Sequence, residues 1–397
     1  MTDATSRRVR EIGESPTLAI SAEAKRLRAA GVDVISFGAG EPDFATAEHI
    51  VEAARAACTQ PAMHRYSPTG GLPALREAIA TKTARDSGLQ VSPQQVIVSN
   101  GGKHALSNVF QALVEPGDEV IVPAPYWVSY PEQVTLAGGA MVTVSTTAAD
   151  GYRVTPEQLE QARTPATKAL VFVSPSNPTG AVYTPDQVRA IGRWAADTGI
   201  WVICDEIYEH LVYDGATFTS IPAVVEDLLP RSVVVNGVAK TFAMTGWRVG
   251  WSISPAPVAA AINRLQSHTT SHVCNIAQQA ALTAIEGPMD QVERMRRTYD
   301  RRRRRVHEVL ADIDDVACPL PEGAFYVFPD VRQRLRRPVG GTTVTTSVEL
   351  CTLLLDEAQV ALVPGEGFGA PGHVRLSYAL SDDDLEKGLT RIAEVLQ

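Results

Sequence analysis

Apolar positions along this chain fall into two recurrent textures. Short β-branched runs are apolar nearly throughout: QVIVSN (95–100), EVIVPAP (119–125), KALVFVSP (168–175), IWVICDE (200–206) and SVVVNGV (232–238). Such runs predict strands of a sheet covered on both faces. Between them, GKHALSNVFQALV (102–114) and TPDQVRAIGRWAADTG (184–199) carry apolar residues at helical spacing. The alternation predicts an α/β fold with helical crossovers. Beyond about residue 285 the texture changes. An Arg-rich helical pattern is followed by GAFYVFPDV (323–331), HVRLSYAL (373–380) and a closing amphipathic helix, SDDDLEKGLTRIAEVL (381–396). This predicts a smaller α+β domain that the N-terminal segment joins, with residues 46–287 as the large domain and 1–45 plus 288–397 as the small one.

Length and composition suit that division. The 397 residues are long for one domain, and 45% hydrophobic with 20% charged residues is an ordinary globular balance. The net charge of -9 argues against a nucleic-acid partner, which needs a basic face. The one basic block, Arg301 to Arg305, reads as the solvated face of a helix that buries Val306, Val309 and Leu310. Cys58, Cys204, Cys274, Cys318 and Cys351 contain no C-x-x-C pair, so neither a disulfide framework nor a zinc site is expected, and no other metal site is indicated. A reducing cytoplasm is the simplest setting. The first fifteen residues lack the apolar core of a secretory signal, and no apolar run approaches the roughly 18 residues of a membrane span.

The candidate chemistry gathers where the apolar runs end. Of six lysines, Lys25, Lys82 and Lys387 fall on polar faces of helical patterns and Lys168 precedes a strand. Lys240 instead follows a strand through a turn at Gly237, and strand ends of α/β sheets are where ligand clefts form. An amine desolvated there, near other cations, loses its proton readily and attacks aldehydes; a surface lysine is the competing reading. Asp205 ends the run IWVIC and is either a buried carboxylate in need of a partner or the N-cap of a helix, with Tyr208 one turn on. Asn177, in SPSNPTGAVY, projects from a turn after another strand. SNGGKHAL (99–106) leads a strand through two glycines into a helix, leaving backbone N–H groups for an anion. Its spacing does not fit a nucleoside-triphosphate loop, and FGAGEPDF (37–44) lacks the third glycine of a dinucleotide fingerprint, so a phosphomonoester with Arg248 as counter-charge is indicated. Arg375 sits within an apolar strand, either to meet a ligand carboxylate or to form an internal salt bridge. Trp127 also follows a strand and offers a flat face, or simple packing.

SPTLAI, GAGEPDF, RYSPTGG, NGGKHAL, PAPYWVSYPE, SPSNPTGAVY, DEIYEHLVY, NGVAKTFAMTGWRVGW, EGAFYVFP, VPGEGFG and VRLSYAL follow one another over nearly the whole chain. In this order they resemble the class I aminotransferases of pyridoxal-phosphate fold type I, most closely the bacterial aspartate and aspartate-prephenate branch. The resemblance implies a large domain with a mostly parallel seven-stranded sheet covered by helices, plus the smaller α+β domain. It implies pyridoxal 5'-phosphate joined covalently to Lys240, its phosphate held by Arg248 and the backbone of Gly101, Gly102 and Lys103. By the same resemblance Asp205 keeps the pyridine nitrogen protonated, Tyr208 and Asn177 bond the phenolic oxygen, and Trp127 stacks on the ring. Tyr66 is similar to a tyrosine that reaches the phosphate of the neighbouring subunit, which implies a homodimer. Arg375 and the backbone at Gly40 are implied to hold the substrate α-carboxylate beside Trp127 and Asn177, and Lys103, with Thr17 nearby, the distal one. Gly237 departs from the eukaryotic branch, which has a serine three residues before the lysine.

The implied reaction is transamination between L-aspartate and 2-oxoglutarate, giving oxaloacetate and L-glutamate, with prephenate a further substrate in some members of the branch. Other readings share the motifs: an aminotransferase for another amino acid, or a β-lyase or cyclic-amino-acid synthase on the same fold. An effector-binding module of a transcription regulator is a third, though such proteins carry an N-terminal winged-helix segment.

Overall fold

The first strand of the main sheet, β1 (Val96–Ser99), is joined by β2 (Glu119–Ala124), β3 (Ala140–Ser145), β4 (Thr167–Val173), β5 (Trp201–Asp205), β6 (Ser232–Gly237) and β7 (Gly250–Ile253). The structure is a computed structural model that describes residues 4–14, 16–339 and 341–396. The seven strands lie in the order β1-β7-β6-β5-β4-β2-β3. Only β7 runs antiparallel to its neighbours, β1 and β6. The other pairings are parallel, so six carboxyl ends open at one edge of the sheet.

Successive residues of a strand point to opposite faces, and here both faces are buried. Ile121, Leu170 and Cys204 pack into one core with Leu75, Ile79 and Ile191. Val120, Val171 and Ile203, one residue away, pack into the other with Leu106, Val109 and Ile262. That double burial is why these strands read as unbroken apolar runs. The five expected strands are present, shortened by a residue or two at their ends. Two strands had no such signature. In β3, at the sheet edge, only Val144 is buried, and β7 is four residues of glycine, tryptophan, serine and isoleucine.

Helices α1 (Pro16–Ala29), α2 (Pro73–Ser87), α3 (Gly102–Leu113), α4 (Pro185–Thr198), α5 (Asp290–Ala311) and α6 (Asp382–Leu396) matter most for the site. The start of α4 is set by a capping box: Thr184 Oγ1 accepts from Gln187 N at 3.3 Å and Gln187 Oε1 accepts from Thr184 N at 3.0 Å. It stops at Gly199, whose φ of 72° closes the helix in the left-handed region. Among the described residues no helix is long and apolar enough to cross a membrane.

A second set of strands lies apart from the main sheet. Val363–Pro364, Val374–Ser377 and Tyr326–Val327 form a three-stranded antiparallel sheet, and Ile35–Ser36 pairs in parallel with Val360–Ala361. Their core gathers Ile35, Phe37, Val306, Tyr326, Leu376 and Leu389, so N-terminal and C-terminal segments share one interior.

Two expectations about charge are overturned. The block 301–305 is not all a solvated face: Arg302 and Arg303 are buried, while Val306 and Leu310 lie inside as expected. Arg303 extends the inward stripe of Tyr299, Val306 and Leu310, because Asp214 Oδ2 (2.7 Å), the Pro321 carbonyl (2.7 Å) and the Tyr213 ring receive it. Lys82, assigned above to a polar helix face, is 3% exposed. Its ammonium lies between Glu209 and Asp86.

Candidate active site

Chain direction alone brings the key residues to one edge of the sheet. Gly101 follows β1, Trp127 follows β2, Asn177 follows β4, Asp205 ends β5, and Lys240 lies three residues past β6. Arg375 comes from the strand 374–377 of the small sheet, and Gly38 to Gly40 from the loop after Ile35–Ser36.

Lys240 Nζ donates to the carbonyl of Gly40 and lies 5.7 Å from the Phe325 ring centroid and 5.9 Å from that of Tyr208. Burial among these rings depresses its amine to about 8. Glu41 opposes the shift, and Arg375 and Arg248 reinforce it. A lysine so placed has a useful free-base population near neutrality.

Asp205 heads no helix, so the N-cap reading is corrected: residues 206–210 form a turn. Its Oδ2 accepts from the Tyr130 hydroxyl at 2.7 Å and its Oδ1 from Ile207 N at 3.3 Å. Burial raises the carboxyl above its ordinary value, against those two hydrogen bonds and the Lys240 charge. Tyr130 is the residue that sequence reasoning missed. It lies in the helix Ser129–Ala137, which begins just after Trp127, and nothing local links it to a carboxylate 75 positions away. Tyr208 OH meets Tyr326 OH at 2.9 Å, joining the turn to the small sheet.

The candidate anion-binding end forms at the start of α3. Gly101, its N-cap, has φ 85° and no side-chain cap, which leaves the first N–H groups of the helix bare. A Cβ at Gly101 would come within 2.6 Å of Arg248 Nη2, so the glycine lets guanidinium and backbone close on the same space. Arg248 itself is held by the Thr245 carbonyl at 2.9 Å. Gly237 has a structural reason beyond the lost serine: it pairs with Gly250, and a Cβ there would sit 2.9 Å from the Val249 carbonyl.

The salt-bridge reading of Arg375 also fails. Among the described residues no carboxylate lies within ion-pair distance of this guanidinium, which is 2% exposed. It donates to Asn177 Oδ1 at 3.0 Å and the Gly38 carbonyl at 2.9 Å, and its Nε is buried without a partner. The rings of Tyr326 (4.5 Å) and Phe368 (5.0 Å) sandwich it. Lys103 Nζ stands 5.0 Å from the Trp127 ring centroid, its pKa lowered by burial and then by Arg248. Thr17 is half-buried in the first turn of α1, and Ile20 of the same helix packs, as Trp127 does, against the cluster that holds Phe368. Tyr66 projects from the chain, 93% exposed, its ring edge-on to His272.

Cations thus outnumber carboxylates: Lys240, Arg248, Arg375 and Lys103 face Asp205 and Glu41. The donor set, with bare helix N–H groups at one end and an unsatisfied guanidinium at the other, fits a phosphate and a carboxylate bound together. A depressed amine midway and a buried carboxylate beyond it fit an aromatic aldehyde between them. These features define a lysine enzyme that carries a phosphorylated aldehyde cofactor. The model of the class I and II aminotransferases matches residues 32–392, and the chain belongs to that family. The family's cofactor is pyridoxal 5'-phosphate and its substrates are amino acids and 2-oxo acids. The chain is 58% identical to an aspartate aminotransferase of Streptomyces avermitilis, over 98% of this chain and 96% of the relative. It is 46% identical to an aspartate/prephenate aminotransferase of Thermus thermophilus, over 98% of both. The solved structure of the Thermus thermophilus aspartate aminotransferase with maleate superposes with a TM-score of 0.92 at 44% identity, covering 99% of this chain and 100% of that one.

Proposed function

We propose that this chain transfers the amino group of L-aspartate to 2-oxoglutarate, giving oxaloacetate and L-glutamate, and accepts prephenate as a further substrate. The observation that carries the reading is Arg375, a buried cation with an unsatisfied Nε and no carboxylate partner among the described residues. The names of the relatives from Streptomyces and Thermus support aspartate and prephenate. The Thermus enzyme was solved with maleate, a dicarboxylate, and this supports a site for two carboxylates.

Each residue then has a role its surroundings support. Arg248 and the N–H groups of Gly102 and Lys103 would hold the cofactor phosphate, with Gly101, whose own N–H donates to the Ser99 carbonyl at 2.7 Å, giving it room; Trp127 would cover the ring, Asn177 and Tyr208 would bond the phenolic oxygen, and Asp205 the pyridine nitrogen. When bound, pyridoxal phosphate supplies a protonated ring that accepts the electron pair left as the Cα–H bond of the amino acid breaks. Arg375 and the backbone at Gly40 hold the α-carboxylate, fixing that bond's orientation. Lys240 Nζ takes the Cα proton and delivers it on the other side of the transfer, as base and then acid. Lys103, near Thr17, takes the distal carboxylate. The reading includes a homodimer, in which the 93% exposed Tyr66 reaches the partner's phosphate site. It also includes a large domain of residues 46–287 and a small one of 1–45 and 288–397, supported by two interiors that divide near these bounds, with Tyr208, Leu211 and Tyr213 lent to the smaller core and Val292 to the larger. A cytoplasmic setting accords with five free cysteines.

The test is product analysis. Purified protein with aspartate and 2-oxoglutarate is expected to yield oxaloacetate and glutamate in equal amounts; no glutamate from this pair, with ammonia and pyruvate released from an amino acid that carries a β-leaving group such as cysteine, would instead mean a β-lyase. Lys103→Ala is expected to raise KM for aspartate and 2-oxoglutarate about 10- to 100-fold, the worth of a charged hydrogen bond of about 1.5–3 kcal/mol. KM for a monocarboxylic amino acid should move little, and steady-state kinetics on both substrate types checks this.

A further inference from the structure

Behind the turn that follows β5 lies a buried charge cluster with no part in the chemistry above. Lys82, on α2, donates to Glu209 Oε1, and its Nζ is 3.0 Å from Asp86 Oδ2. His210 Nε2 lies 3.1 Å from the same Asp86 oxygen, and Arg85 Nε binds Asp86 Oδ1 at 2.6 Å from the solvent side. Burial works against the Lys82 charge, and Glu209 and Asp86 outweigh it. Asp86, Glu209 and His210 bring ligand-type atoms within 4.8 Å of one another, and the Lys82 ammonium already serves them as cation.

Stability alone is a poor reason for such a cluster, because a matched apolar pair in its place is commonly as stable or more so. What the cluster grips is informative. Residues 206–210 form one hydrogen-bonded turn: Glu206 N donates to the Val235 carbonyl, Glu209 N to Glu206 O, and Leu211 N to Tyr208 O. Consecutive side chains diverge from it. Glu209 meets Lys82 on α2, whereas Tyr208 meets Tyr326 OH at 2.9 Å on the active-site side. Asp205 enters the same turn through the bond from Ile207 N to its Oδ1.

We propose that Lys82 and Glu209 are positioning residues that tie α2 to the back of this turn and so fix the aim of Tyr208 and Asp205 toward the cofactor. The inference rests on the roles given above to Asp205 and Tyr208. A reactive group displaced by about 1 Å loses on the order of a hundredfold in rate, so a rigid hold is worth a costly ion pair.

The experiment compares holoenzymes of the wild type, Lys82→Met and the double variant Lys82→Met/Glu209→Leu. Lys82→Met is expected to melt lower, since it strands a buried carboxylate, and the double variant to recover the wild-type Tm. Despite that recovery, the pH midpoint of the bound cofactor's visible absorbance should move by about half a unit or more in the double variant. Its kcat for aspartate should fall about tenfold or more. A double variant of wild-type stability with an unmoved midpoint and an unchanged kcat overturns the proposal, leaving the pair a packing element. If the double variant does not fold, Glu209→Gln is read the same way: a moved midpoint supports the proposal and an unmoved one overturns it. A wild type lacking any visible band that borohydride fixes to Lys240 would overturn the cofactor roles themselves, and this inference with them.

Discussion

Lys240→Ala is expected to turn over aspartate about 10⁴-fold more slowly than the parent, and borohydride should fix no pyridoxal phosphate to it. The expectation follows from what surrounds the amine. Burial among Tyr208 and Phe325 brings its pKa to about 8, so about one amine in ten is a free base at pH 7. An unperturbed lysine would offer about one in 2,500. No other described lysine in the cleft substitutes for it, because Lys103 lies over Trp127 at the far end of the site. The sign of the pH dependence is fixed: only the free base attacks an aldehyde, so the rate of cofactor capture by the apoprotein should climb through pH values near 8 and level off above. Stopped-flow absorbance at a series of pH values measures it. A flat profile, or a Lys240→Ala protein with more than a hundredth of parental activity, would contradict the assignment.

Asp205→Asn is expected to lower kcat about 10³-fold while leaving the apoprotein at least as stable. The substitution keeps the shape and removes the charge proposed to lie opposite the pyridine nitrogen, an electrostatic contact of the kind whose loss costs about 10²–10³ or somewhat more. Stability moves the other way. Burial raises the folded-state pKa of Asp205, so the folded protein prefers the protonated acid and its ionisation weakens the fold as pH rises from the unfolded value through the folded one. Near pH 7 the neutral asparagine escapes that cost. Calorimetry of the apoprotein beside steady-state kinetics of the holoenzyme would show the divergence, and a parallel loss of stability and activity would make Asp205 a structural residue only.

Much of this arrangement was legible because it is local. Each buried strand of the sheet centre has apolar side chains on both faces, so 119–124, 167–173, 201–205 and 232–237 read as continuous runs. Chain direction then determined which residues emerge at the carboxyl edge, and Asn177, Asp205 and Lys240 needed no more than their place after such a run. The strand at 140–145 was hidden for the opposite reason: an edge strand half in water has no unbroken apolar signature.

Charged residues are where the pattern failed, and they failed in one direction. Lys82, Arg302 and Arg303 read as solvent-facing, yet all three are interior. A binary pattern records whether a side chain is apolar; it carries no information on whether a counter-charge arrives from elsewhere. Lys82 has Asp86 one helical turn on and Arg303 has Asp300 one turn back, but each is completed by a distant carboxylate, Glu209 127 positions away and Asp214 89 positions away. For Arg375 the same ignorance worked in reverse, since only the assembled fold reveals that no described carboxylate comes to meet it and that its Nε is buried without a partner.

By itself, then, the amino-acid order determined the sheet, its crossover helices and the edge at which an amine, a carboxylate and an anion-binding helix start converge, because short-range periodicity and turn chemistry specify those. Tertiary structure alone decided which charges are paired: the Tyr130 hydroxyl on Asp205, the Lys82 ammonium on Glu209, and a guanidinium at 375 met by an amide and a carbonyl oxygen but by no described carboxylate. Pairing across such separations is set by where folded elements meet, and no local window of sequence contains both partners.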